Sequence, residues 1–246
     1  MAGIDNPSGT VTRQQTPWAT PAGWGAVVPG RRRRFRAGDC LYRQGQDGRP
    51  GFVIESGWVA IEVDTDDGGR CIADFLLPGD VLVAAPRARR CPDHSARCLT
   101  DVAVRIGSRR ELMAFAEETG DLAGYFDHCT ACRMFRTQDH LANVVTRDAY
   151  GRVAHLLYEL YCRSTHDGGS GGGGEIACPL RLGHIGAITG LSTVHVSRTL
   201  GQLAARGVLA LKSSRLTVVD RTRLEHAAGG FDATAADPVL VDPAGV

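Results

Sequence analysis

Residues 180–203 read LRLGHIGAITGLSTVHVSRTLGQL. A helix through the first half must stop at Gly190, whose missing Cβ permits a sharp turn, and Ser192 can cap a second helix by accepting from its free amides. In that second helix Val196, Leu200 and Leu203 share one face, while Thr193, Ser197 and Arg198 project elsewhere. The pattern predicts a helix-turn-helix whose second helix is anchored by its apolar face and offers its polar face to a partner. The N-terminal residues of such a helix meet base edges in the DNA major groove, where an Arg pairs bidentately with guanine for about 1–3 kcal/mol of discrimination. Next, GVLALKSSRLTVV (207–219) reads as two short strands about a polar turn, a wing whose Lys212 and Arg215 suit phosphate.

Charge supports this reading only locally. The whole chain of 246 residues has a formal charge of +1. Residues 179–228, however, hold seven Lys/Arg (181, 198, 206, 212, 215, 221 and 223) against two acids (220 and 225), a net +5. The longest apolar run, FLLPGDVLVAA (75–85), is broken by Pro and Asp and is far shorter than the roughly 20 apolar residues of a membrane span. The N-terminus lacks the basic patch and apolar core of a secretory signal, so a cytoplasmic protein without disulfides and without membrane contact is expected. The eight cysteines (40, 71, 91, 98, 129, 132, 162 and 178) show no paired zinc spacing.

Upstream, residues 1–34 are rich in Pro, Gly, Thr and Gln and end in four arginines, which predicts a disordered arm with a solvated charge run. From Phe35 short strands alternate with turns, and Trp58 to Val63 followed by DDGG (66–69) marks a hairpin. Residues 35–120 are therefore expected to form an antiparallel roll. A helical period follows, with a long helix over 121–147. In the helix after Asp148, Val153, Leu156, Leu157, Leu160 and Tyr161 recur at i, i+3, i+4, i+7 and i+8, predicting a helix apolar on one face. GGSGGGG (168–174) marks a loop, residues 148–232 a DNA-binding unit, and 233–246 a disordered tail. The fold class is α+β: a β-roll, a long helix and a winged helix-turn-helix.

In this order the segments resemble the CRP/FNR family of bacterial transcription regulators over Phe35 to Ala228. FRAGDCLYRQG (35–45) and FVIESGWVAIEVDTDDGGRCIADFLLPGD (52–80) are similar to its β-roll, HSARCLTDVAV (94–104) to its closing strands, and GLSTVHVSRTLGQLAARGVLALKSSRLTVVD (190–220) to its winged helix-turn-helix. The resemblance implies double-stranded DNA and RNA polymerase as partners. It also implies a homodimer through the long helix, in which Leu122, Tyr125, Phe126, Cys129, Cys132, Met134 and Phe135 supply apolar surface. Thr193, Val194, His195, Ser197 and Arg198 occupy the family's reading positions, with Lys212 and Arg215 on the wing.

The resemblance also shows where this chain departs. The family's ribose-binding Gly-Glu falls on Val83 and Ala84, and its phosphate-gripping Arg-Ser/Thr-Ala on His94, Ser95 and Ala96. A neutral His cannot replace the fixed fork of an Arg, so cyclic AMP is not expected as effector. The N-terminal cysteines of iron-sulfur members are missing from residues 1–39. The resident cofactor and the signal stay open: a small ligand, redox state, or constitutive competence. Arg181 stands where a capping Thr is usual, and Gly183 adds helix cost. A β-roll metal enzyme would need several converging histidines, yet His94 is the only one before residue 121. The remaining alternative is a roll protein acting by protein contact without DNA.

Overall fold

The computed structural model describes residues 30–48, 50–84, 90–108, 121–166 and 173–236. The expected arm over 1–29, the end of the tail and the side chains of Leu122, Tyr125 and Phe126 lie outside the described residues. Among the described residues, eight strands form the N-terminal unit: β1 (Arg31–Phe35), β2 (Cys40–Tyr42), β3 (Pro50–Ser56), β4 (Val59–Asp64), β5 (Arg70–Leu76), β6 (Val81–Val83), β7 (Ser95–Cys98) and β8 (Val102–Ser108). They pair antiparallel in two sheets, β1-β8-β3-β6 and β2-β7-β4-β5. Between the sheets Phe52, Ile54, Val59, Ile61, Leu76, Leu82 and Val104 form the core of the roll. Gly57, at φ +90°, joins β3 to β4 where an added Cβ would lie 2.3 Å from the Asp101 carbonyl, so only glycine fits.

The four arginines assigned to the arm are not part of it. Arg31 to Phe35 pair in register with Ile106 to Val102 of β8, so this segment closes one edge of the roll while its arginines stay exposed and Phe35 packs against the core. Composition missed this because an edge strand needs backbone pairing rather than an apolar face.

Helix α1 (Asp121–Thr146) runs for 26 residues, about 39 Å. Helix α2 (Ala149–Thr165) starts at Asp148, whose side chain accepts from the Gly151 amide. Strand β9 (Glu175–Ala177), α3 (Leu182–Thr189), α4 (Thr193–Ala205), β10 (Leu209–Lys212), β11 (Arg215–Val218), α5 (Arg221–Ala228) and α6 (Ala233–Ala236) follow. Strand β9 adds a third strand to the two predicted for the wing by pairing with β11. The last four residues of this series, assigned by sequence to the tail, are helical, and the Ala236 carbonyl accepts from Arg136 at 2.7 Å.

The expected one-faced α2 is buried nearly all round, from Gly151 to Arg163. Its apolar side packs with Ile185, Val196, Leu203, Leu209, Leu216 and Leu224, and the same core includes Trp58, Ala60, Ile72, Phe75 and Leu77 from the outer face of β4 and β5. The run Phe75-Leu76-Leu77 is therefore apolar without alternation because both faces of that sheet are covered. The polar side of α2 enters a buried ionic network. Arg136 of α1 is fully buried and donates to Asp74 at 2.9 Å and Asp80 at 3.1 Å. Arg163 of α2 donates to Asp80 and Glu159, each at 2.8 Å, and to the Phe75 carbonyl at 2.9 Å. His140 of α1 bonds Glu159 at 2.5 Å and the Ala73 carbonyl at 3.2 Å. Roll, long helix and DNA-binding unit meet at these side chains.

Burial alone would lower the pKa of His140, but the Glu159 carboxylate overrides it and lifts the imidazole to about 9. Burial likewise opposes ionisation of Glu159, and the His140 and Arg163 charges outweigh it and hold the acid well below its ordinary range. Replacing Arg136 with Met takes from buried Asp74 its closest cation and leaves Asp80 to Arg163 alone, and urea unfolding is expected to show a loss of about 3–5 kcal/mol. For His140, a raised folded-state pKa means its stabilisation is fully present below about 6.5 and lost as pH rises through about 9. Melting temperatures between pH 6 and 10 should therefore fall more steeply for the wild type than for His140→Gln.

Candidate nucleic-acid interface

Helices α3 and α4 are joined as the sequence requires. Gly190 adopts φ +69° and ends α3, and the Ser192 side chain accepts from the His195 amide to cap α4. Arg181 makes no side-chain cap on α3; instead its amide donates to His184 Nδ1 at 3.2 Å. Burial, reinforced by the Arg181 charge, lowers the pKa of His184 and favours the neutral form that can accept this bond.

Val196, Thr199 and Leu203 bury one face of α4. Thr193, Val194, His195, Ser197 and Arg198 are all exposed along its first turns. The wing turn is tight: Ser213 and Ser214 both sit in the left-handed region, at φ +49° and +60°, as a two-residue hairpin of this twist demands. Lys212 is exposed and Arg215 pairs with Glu175 at 2.6 Å, with both side chains largely in solvent. An exposed pair of this kind contributes about 0–1 kcal/mol, so it yields readily to a stronger anion. One of the seven counted cations is not at the surface: Arg221 is buried and lies about 6.0 Å from the Tyr158 and Tyr161 rings.

The positions corresponding to the effector pocket are occupied by the protein's own contacts. Val83 ends β6 opposite Gly51, and Ala84 is fully buried with its amide on the Pro50 carbonyl. His94 bonds the Tyr42 hydroxyl at 2.6 Å and Asp93 at 2.8 Å, and Tyr42 stacks on Phe52 at 5.6 Å. Ser95 accepts from the Gln44 amide. Burial lowers the pKa of His94, and the charge of Arg133 adds to this despite the opposing bond to Asp93. Arg133, a cation delivered to this side of the roll by the long helix, was missed because only tertiary packing brings it there. It lies 3.7 Å from Asp74.

On α1 the assignment of Cys129 and Cys132 to a partner-facing surface is corrected. They are 2% and 1% exposed within the single chain, turned inward on the same side as Arg136 and His140. The outward side instead exposes Met134, Leu141 and Val145. Spacing alone could not orient the helix, because its apolar residues occur on both sides.

Residues 32–119 match the cyclic nucleotide-binding domain family, and residues 151–227 the Crp-like helix-turn-helix domain family. A nitrogen fixation regulation protein FixK of Azorhizobium caulinodans is 31% identical over 178 residues, covering 71% of this chain and 70% of that protein. The chain belongs to the CRP/FNR family of transcriptional regulators. A CRP-like cAMP-activated global transcriptional regulator of Mycobacterium tuberculosis is 26% identical over 199 residues, covering 79% of this chain and 86% of the relative. The structure of FixK2 from Bradyrhizobium japonicum shares the fold at a TM-score of 0.68, with 24% identity over 81% of this chain and 98% of that one. This CRP/FNR regulator thus joins a cyclic nucleotide-binding-like roll to a helix-turn-helix DNA-binding domain. None of its described helices is long and apolar enough to cross a membrane.

Replacing Ser192 with Ala removes the cap of α4, and chemical denaturation is expected to show a loss of about 1 kcal/mol.

Proposed function

We propose that this CRP/FNR regulator binds a two-fold symmetric operator as a homodimer, reading bases with Thr193, Val194, His195, Ser197 and Arg198 and holding phosphate with Lys212 and Arg215. The observation that carries the reading is the outer face of α4, where Thr193, Val194, His195, Ser197 and Arg198 are exposed on a capped helix whose opposite face is locked in the core. Anchoring of this kind fixes the backbone in advance, so that only the side chains remain to be ordered on binding.

The dimer forms through the exposed side of α1. Met134, Leu141 and Val145 are 60%, 66% and 71% exposed and recur at spacings of seven and four residues, as a seam between two paired helices requires. Two copies joined there present two α4 helices to successive major grooves, with half-sites about 34 Å apart. RNA polymerase is the partner through which such a bound dimer acts on transcription.

Cyclic AMP does not control this regulator. Val83 and Ala84 offer no carboxylate to a ribose, Ser95 is engaged with backbone, and His94, kept neutral by burial, is bonded to Tyr42 and Asp93. Arg133 lies against Asp74.

The test is binding to duplexes selected from a random library, with salt varied. Wild type is expected to show affinity falling linearly in log–log form with salt, as phosphate contacts demand. Arg198→Ala should lose about 5- to 150-fold of its preference for the selected site over random DNA. Leu141→Lys should sediment as a monomer and bind the symmetric site poorly. A protein that enriches no sequence, or whose dimer survives Leu141→Lys unchanged, contradicts the corresponding part.

A further inference from the structure

Among the described residues, Val194 is the one large apolar side chain left exposed on α4, at 69%. It lies in the first turn, directly after Thr193 and the capping Ser192. A β-branched residue in solvent gains nothing from burial and is a mediocre helix former, so stability does not account for it. No described residue of its own chain covers it. The chemistry of its neighbours narrows what could. Residues 193–205 contain no Asp or Glu, so the helix has no carboxylate to accept from the cytosine amino group. Its exposed first turns offer instead the Arg198 guanidinium, the His195 imidazole, the hydroxyls of Thr193 and Ser197, and the methyls of Val194 and Thr193. In the major groove the one apolar feature of a base edge is the C5-methyl of thymine.

Val194 and Arg198 stand four residues apart, on one helical face and about 6 Å apart along the axis. That distance is between one and two base steps of about 3.4 Å. Resting on the DNA-binding reading above, we infer that Val194 is a specificity-determining residue that packs on a thymine methyl within two base pairs of the guanine bound by Arg198. Each half-site then carries a methyl and a guanine at that spacing, and the two copies of the dimer read the pair twice. The hydroxyls of Thr193 and Ser197 serve any base, and the Thr193 methyl is the one rival apolar group at the start of the helix; substitution of Val194 alone separates the two.

The experiment replaces each thymine of the selected half-site in turn by deoxyuridine, which deletes only the methyl group. With the full-length wild-type protein, one position close to the guanine is expected to cost about fourfold in affinity per half-site, the value of one buried methyl-sized contact. Val194→Ala should bind the thymine and uracil duplexes equally, and Val194→Ile should keep the difference; far-UV circular dichroism confirms that both variants fold. Tolerance of uracil at every position, or a penalty that persists in Val194→Ala, overturns the inference while leaving DNA binding intact. Failure of the wild type to enrich any sequence overturns the DNA-binding reading and this inference with it.

Discussion

Two guanidinium groups from two helices, Arg136 and Arg163, close on Asp74, Asp80 and Glu159 in a region from which water is excluded. Each ion there would cost several kcal/mol to bury alone, so the arrangement persists only where every member finds its partners at once. That condition is geometric. Asp74 belongs to strand β5 of the roll, Asp80 to the turn after it, Arg136 to the long helix, and Glu159 and Arg163 to the first helix of the DNA-binding unit. A shift of any one element strands a charge on another. The apolar core that runs from Trp58 and Phe75 of the roll into Leu156, Leu160 and Val196 supplies the driving force for docking, and the ionic cluster selects one orientation from the many an apolar surface would accept.

The outward consequence lies at the two ends of this assembly. With α1 held by its buried side, Met134, Leu141 and Val145 are left facing solvent; with α2 enclosed, α3 and α4 are seated on it and the reading side chains of α4 are left free. The polar residues of α2 are consumed internally, and α4 itself carries no Asp or Glu beside its exposed Arg198.

How legible this was in the chain depended on whether the signal was local. The Gly190 stop, the Ser192 cap and the burial of Val196 and Leu203 on α4 follow from spacing and helix-end chemistry within a few residues, and the structure reproduces them, whereas Leu200 of the expected apolar face is only half-buried and Thr199 is buried in its place. The hairpin at 66–69 was equally local. What stayed hidden depends on partners far along the chain. The arginines at 31–34 become a strand because β8, some 70 residues away, offers an unpaired edge. Cys129 and Cys132 turn inward because Arg136 and His140, on the same side of α1, must reach Asp74 and Glu159. The apolar period of α2 carries no information on whether its remaining side, with His155, Glu159 and Arg163, meets water or counter-ions. His155, bonded to Asp139 and to the Ala228 carbonyl, shows the second outcome. In the roll, the loss of the family's ligand-gripping residues was visible at once, whereas the contacts that replace them, Tyr42 with His94 and Phe52, required the fold.

The central claim is that the locked orientation of roll, α1 and DNA-binding unit lets two copies present paired reading helices to one duplex. Hydroxyl-radical footprinting of the bound operator tests this directly. The account predicts two equal protected patches related by a dyad, with centres about one helical turn apart on one face of the DNA. A single patch, or two patches of unequal strength at any other spacing, would contradict it.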